Sequence, residues 1–109
     1  MIGAWPHTFS GSIATITNVD VNNHVTIGNL TLLNTTASVA YLQFFSTAGS
    51  SVWIGNTSPT WSIGLPASAG LVLSLPKGQY MGGNGLSVVG TTGRTNTTAA
   101  TIDVNFGYE

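Results

Sequence analysis

Val39-Ala40-Tyr41-Leu42-Gln43-Phe44-Phe45 is the stretch on which the fold turns. Its apolar side chains fall on both parities, broken only by Gln43. A strand with one wet face alternates apolar and polar residues, whereas a near-continuous apolar run suits a strand covered on both faces. Such a strand belongs in the middle of a β-sandwich. The run is far short of the roughly 18 apolar residues that a membrane-spanning helix needs, and no other stretch comes closer.

The flanking sequence supplies shorter strands at the spacing a sandwich requires. From Ser12 the period is two, with Ile13, Thr15, Thr17 and Val19 alternating against Ser12, Ala14, Ile16 and Asn18. This predicts one half-buried strand, followed by a turn or hairpin connection at Asp20-Val21-Asn22-Asn23-His24. Val25-Thr26-Ile27 and Leu30-Thr31-Leu32-Leu33 form the next run, with Gly28 a candidate bulge, and Asn34-Thr35-Thr36 turns the chain. Beyond the central stretch come Val52-Trp53-Ile54, then Trp61 to Leu65 ending at Pro66, then Leu71 to Leu75 ending at Pro76. Each proline stops a strand because it has no N–H for the ladder. Leu86-Ser87-Val88-Val89 follows, then a polar loop from Gly90 to Thr98, then a last strand with Ile102, Val104, Phe106 and Tyr108 on one face. The sum is an all-β chain: a single antiparallel β-sandwich of about eight short strands, with turns every 8–12 residues or so. Residues 11–109 make up this one domain, and residues 1–10 read as an irregular N-terminal arm.

Composition agrees and narrows the function. Of 109 residues, 16 are Thr, 11 Ser, 9 Asn and 14 Gly, while Lys, Arg and Glu occur once each. Thr packs well on a pleated surface, Asn and Gly tolerate positive φ, and the strong helix formers are missing. The charged residues are Lys77, Arg94, Asp20, Asp103 and Glu109, a net charge of -1. Two cations are too few to displace counterions along a nucleic-acid backbone, so no nucleic-acid partner is expected. No membrane partner is expected either. The start, Met1 to His7, has neither a basic segment nor an apolar run of the signal-peptide kind. With no cysteine there is no disulfide framework. Four Asn-x-Ser/Thr triplets, at Asn29, Asn34, Asn56 and Asn96, are about what so Asn- and Thr-rich a composition produces by chance.

Chemical motifs fare poorly. Gly82-Gly83-Asn84-Gly85 lacks the Lys and the following helix of a phosphate loop. Asp20 to His24 resembles the opening of a calcium loop, but Val25 stands where Gly is needed and Thr31 where Glu is needed. Two His and three carboxylates fall short of a dedicated metal site or a glycosidase pair, and no Gly-x-Ser-x-Gly elbow exposes a nucleophile. No catalytic, metal or cofactor residue is assigned; Asp20 and His24 are where a small hydrolase would be tested. Trp53 and Trp61, with Tyr41 and Tyr80, are candidates for a sugar-stacking platform, against the default that aromatics of a small domain pack its core. Trp5, Pro6 and Phe9 give the arm an apolar character, fit either for tucking into the domain or for docking on a partner.

From Ser38 to Tyr108 the order of features resembles a known group. It runs Tyr41-Leu42-Gln43-Phe44-Phe45, a loop with Gly and Pro, Ile63-Gly64-Leu65-Pro66-Ala67, Leu71-Val72-Leu73-Ser74-Leu75-Pro76-Lys77-Gly78, Gly85-Leu86-Ser87-Val88, and a closing apolar strand. This is similar to the small β-sandwich head decoration (cement) proteins of tailed bacteriophages. The resemblance implies a jelly roll, a homotrimer, and binding to the major capsid protein on the outer surface of the head in the virion. The loop before the last strand departs from that group in having Arg94 as its one charge. On this reading Trp5, Pro6 and Phe9 are the expected shell contacts. The alternative is a carbohydrate- or receptor-binding module of a phage fibre or tail, centred on Trp53 and Trp61.

Overall fold

The computed structural model describes residues 7–20, 25–47, 52, 59–75, 78–80, 85–93 and 98–108. Nine strands are found among them: β1 His7–Ile13, β2 Thr17–Asp20, β3 Thr26–Asn34, β4 Ala40–Phe45, β5 Trp61–Leu65, β6 Gly70–Leu73, β7 Gln79–Tyr80, β8 Leu86–Thr91 and β9 Ile102–Tyr108. They form two sheets in which every pairing is antiparallel. Sheet I has the order β1-β9-β3-β6, with β7 continuing the β6 edge alongside β3; sheet II has the order β2-β8-β4-β5. Counting β6 and β7 as one interrupted edge, each sheet is four strands wide and the chain passes between the sheets at almost every connection. That order is a jelly roll, two interlocked Greek keys. The expected all-β sandwich is therefore the fold, and the strand order selects its type.

Core residues follow from strand parity. Ile27, Leu30 and Leu32 of β3 and Ile102, Val104 and Phe106 of β9 meet Leu42 and Phe44 of β4 and Leu86 and Val88 of β8 between the sheets. An aromatic row crosses this core. Trp61 stacks on Phe44 (centroids 5.3 Å), Phe44 meets Phe106 edge-on (6.1 Å), and Phe106 lies against Phe9 (5.4 Å). Such pairs add about 0.5–1.5 kcal/mol each beyond the area they bury.

β4 is buried on both faces, as its sequence predicts. Leu42 and Phe44 enter the main core, while Phe45 joins Val89 of β8 in a second apolar cluster on the outer side of sheet II. Val52, which lies outside any strand, and Ile16 close over this cluster. Beside it, Gln43 Nε2 donates to Thr91 Oγ1 at 2.6 Å, Thr91 Oγ1 donates to the Gly93 carbonyl at 2.7 Å, and Ser87 Oγ donates to the Thr47 carbonyl at 2.9 Å. Gln43, Thr91 and Ser87 thus tie the outer face to the segments at Thr47 and Gly93 beside it, whereas the buried Ser62 hydroxyl on the same face has no hydrogen-bond partner among the described residues.

Four expectations change. Residues 7–10 are not an irregular arm but the start of β1, paired with β9 in unbroken register from His7↔Tyr108 to Ile13↔Ile102. The strand expected from Ser12 to Val19 breaks over residues 14–16, where the chain leaves sheet I for sheet II. Period two survives the break because Ile13 faces the main core and Ile16 faces the second cluster. Of the turn or hairpin expected at residues 20–24, the hairpin is excluded, since β2 and β3 lie in different sheets; residues 21–24 themselves lie outside the described residues. Finally, the bulged residue of β3 is Asn29, next to Gly28. It is the extra residue between Gly28↔Gly107 and Leu30↔Phe106, it takes φ 30°, and its Oδ1 accepts from the Leu75 N–H at 3.0 Å. Asn tolerates that left-handed conformation better than most residues, and its side chain fills the gap where the β6–β7 edge lifts away.

Two positions hold the corners. Asn34, fully buried, donates through Nδ2 to the carbonyls of Ser38 (2.8 Å), Pro66 (2.9 Å) and Leu65 (3.2 Å) and accepts at Oδ1 from Thr36 N–H (2.9 Å) and Thr36 Oγ1 (2.7 Å). It ties the β3–β4 corner to the β5–β6 turn, so this Asn-x-Thr triplet serves the fold. At Gly90 the backbone approaches so closely that a Cβ would stand 2.1 Å from the Ala100 carbonyl oxygen and 2.8 Å from that of Ile13. Glycine is required there by space.

Candidate functional site

The outward parity of sheet I builds a broad uncovered surface among the described residues. Register places Ser12, Asp103, Leu33 and Gly70 in one row across β1, β9, β3 and β6. The next row is Ser10, Asn105, Thr31 and Val72, and beyond it Thr8 stands beside Gly107. Apart from Leu33, Val72 and the two glycines, these are the polar members of strands whose other parity fills the core, which is why β1 and β9 alternate more cleanly than β4. A shallow depression of about 350 Å³ lies over β1, β9 and β3, bordered by Ser10, Ser12, Thr31, Leu33, Asp103 and Asn105.

Asp103 is the one charged residue in these rows, and Ser12 Oγ donates to its Oδ1. Around it stand hydroxyls, an amide and the apolar side chains Leu33 (44% exposed) and Val72 (75% exposed). No described residues assemble three or more His, Cys, Asp or Glu into a metal-sized group. A lone carboxylate beside a serine, without a base or a second acid, has the means to accept hydrogen bonds and little else. At about 4.8 Å per strand and 3.4 Å per residue, the face spans roughly 400 Å², about half of one partner's share of a standard protein interface.

The residues flagged from sequence fall elsewhere. Phe9 faces inward from β1, half-buried against Phe106, while His7 at the start of the same strand lies against Tyr108. Trp5 and Pro6 lie outside the described residues, as do Trp53, His24, Lys77 and Arg94. Trp61 is half-buried on the inner side of sheet II with one ring face against Phe44. Tyr41 is on the opposite side of that sheet, its ring over Gly64, where a Cβ would come within 2.8 Å of Cε2. Trp61 and Tyr41 therefore do not share a platform. Sequence reading passed over Leu33 and Val72. The signal was their parity: both are apolar residues at outward positions of strands whose inward positions are already apolar.

This geometry defines a jelly-roll domain in which, among the described residues, one outer sheet face is capped by connecting segments and the other is bare. No family model matches the sequence, and no curated protein matches it. Among solved structures the chain is similar to one from work described as "Bacillus endospore appendages form a novel family of disulfide-linked pili", with a TM-score of 0.29 and 8% identity over 99% of this chain and 92% of that one. A likeness of that size bears on neither fold nor function.

Proposed function

We propose that this chain is a non-enzymatic structural protein of a virion: a decoration protein that binds the outer surface of a phage head and strengthens contacts between major capsid subunits. The observation that carries the reading is the outer face of sheet I, which is bare, nearly uncharged, and made of side chains that lose little on being covered. Burying uncharged groups avoids the desolvation penalty that charges exact at an interface. The sequence resemblance over residues 38–108 supports the same class, as does the jelly-roll strand order.

The mechanism is added buried area at subunit junctions, which raises the free energy of opening the shell. A face of roughly 400 Å² is too small to do this alone by the usual measure of stable interfaces. The remainder falls to the segment before β1, which carries Trp5 and Pro6, and to self-association, a homotrimer in the form the resemblance implies. Phe9 contributes indirectly, by fixing β1 to the core.

Undecorated heads mixed with the purified protein test the proposal. Thr31→Glu and Val72→Glu place carboxylates on the bare face without touching the core, and each is expected to lower head occupancy at least tenfold. Removal of residues 1–6 is expected to lower it as well. Full occupancy in the two glutamate variants would exclude sheet I as the shell contact, and no binding of the unaltered protein to any head would remove the decoration reading.

A further inference from the structure

The two sheets have four edges, and three of them are obstructed. The β6–β7 edge is broken between Leu73 and Gln79, and Asn29 already occupies the Leu75 N–H. β2 has four residues, a register shift between Asn18 and Asp20, and a carboxylate at its end. β5 is five residues long and enclosed by Pro59 and Pro66. Bulges, charges, prolines and short length are the means by which natural sheets prevent strand addition.

β1 has none of them. His7-Thr8-Phe9-Ser10-Gly11-Ser12-Ile13 contains no Lys, Arg, Asp, Glu or Pro, pairs with β9 over all seven residues without a shift, and is exposed at Thr8, Ser10, Gly11 and Ser12. Alternate backbone groups of an edge strand point away from its neighbour. No described hydrogen bond takes up those of β1.

We infer that β1 is a strand-addition edge for a second copy of this chain, pairing antiparallel with its own equivalent about a two-fold axis at Ser10. A two-fold perpendicular to the sheet keeps inner faces with inner faces. With Ser10 opposite Ser10, the whole strand overlaps: Thr8 faces Ser12, Phe9 faces Gly11, and His7 faces Ile13. The side chains fit this register. Gly11 has open space where a Cβ would point, with nothing described within 4 Å, and Phe9 is a half-buried ring two residues away on the same face. An aromatic laid across a glycine on the facing strand fills what each edge leaves empty. On the outer face only hydroxyls meet, and the two bare faces of sheet I join into one continuous surface.

The size of the contact sets its strength. Seven residues span about 24 Å, and with an edge ~10 Å thick the pairing covers roughly 250 Å² per copy, well under the ~800 Å² of a standard interface side. The dimer is therefore weak, reversible and concentration-dependent. The inference goes beyond the decoration reading, since it concerns contact between copies in solution and needs no head for its test.

The native chain has no cysteine, which makes crosslinking clean. Across the two-fold, Ser10 lies opposite its own copy at cross-strand distance, whereas Thr8 lies about 14 Å from the other Thr8, beyond disulfide reach. Ser10→Cys is expected to oxidise to a dimer at least about tenfold faster than Thr8→Cys or Ser12→Cys alone, and a mixture of those two to form the mixed dimer at the faster rate. Sedimentation gives an independent arm. Ser10→Lys and Ser10→Glu are each expected to weaken association at least about tenfold, by placing like charges directly opposite, and an equimolar mixture to restore it. Ser10 is exposed, so these variants keep the fold. Equal crosslinking of Ser10→Cys and Thr8→Cys, or association unchanged in Ser10→Lys, would overturn the inference.

Discussion

The outer faces of the two sheets are built from the same kinds of strand and have opposite fates. On sheet II, Phe45 is 1% exposed although it points away from the main core, because Val52 and Ile16 close over it. On sheet I, Leu33 points outward from an equally central strand and is 44% exposed, and no cluster of described residues closes over it. One face is finished within the subunit and the other is left for whatever it meets. A buried apolar side chain on an outer face therefore reports an internal lid, and an exposed one in a charge-poor setting reports a surface held in readiness.

Four substitutions probe that contrast. Gly90→Ala, at the junction both sheets share, forces a Cβ onto two backbone carbonyls and is expected to cost on the order of 4 kcal/mol or more, read as loss of cooperative unfolding near room temperature. Phe45→Ala is expected to cost about 3–5 kcal/mol by urea denaturation, the penalty of a core position. If its cost falls below about 1 kcal/mol, the lid over sheet II is not a true second core. Asn34→Ala removes a fully buried amide and strips three carbonyls, one buried and two part-buried, of their donor; it is expected to cost about 2–3 kcal/mol, measured the same way. Leu33→Ala is expected to change stability by no more than about 0.5 kcal/mol, as an uncovered site should. A loss of 2 kcal/mol or more there would mean that sheet I is covered in solution, and its dependence on protein concentration would say whether a second copy does the covering.

Much of this contrast is legible in parity. β4 has apolar residues at both parities, and β9 has Asp103, Asn105 and Gly107 at every outward position, so one strand reads as covered twice and the other as covered once. What covers sheet II is not legible, because Ile16 and Val52 come from separate connections and carry no periodic signal of their own. The sheet change after Ile13 is hidden for a related reason: an apolar residue that goes under a lid keeps the rhythm of one that goes into the core. Phe9 misleads in the other direction. An aromatic near the start of a chain suggests a docking arm, but seven paired residues of β9 convert that segment into a strand and turn the ring inward. The bare face itself could be read only after register had lined up Thr31 and Val72 with Asn105 and Ser10, residues far apart along the chain.

The position of β9 has a consequence for how the molecule comes into being. It lies between β1 and β3, which do not pair with each other, so sheet I has no continuous ladder until the chain has been synthesised through Tyr108. During translation β1 waits for β9, separated from it by seven described strands, and closure depends on a search over long loops that is slow by nature. Throughout that interval β1 has both edges open. A nascent chain of this kind benefits from strands without sticky runs of large apolar residues, and the serines, threonine and glycine of β1 suit a segment that must stay unpaired and soluble the longest.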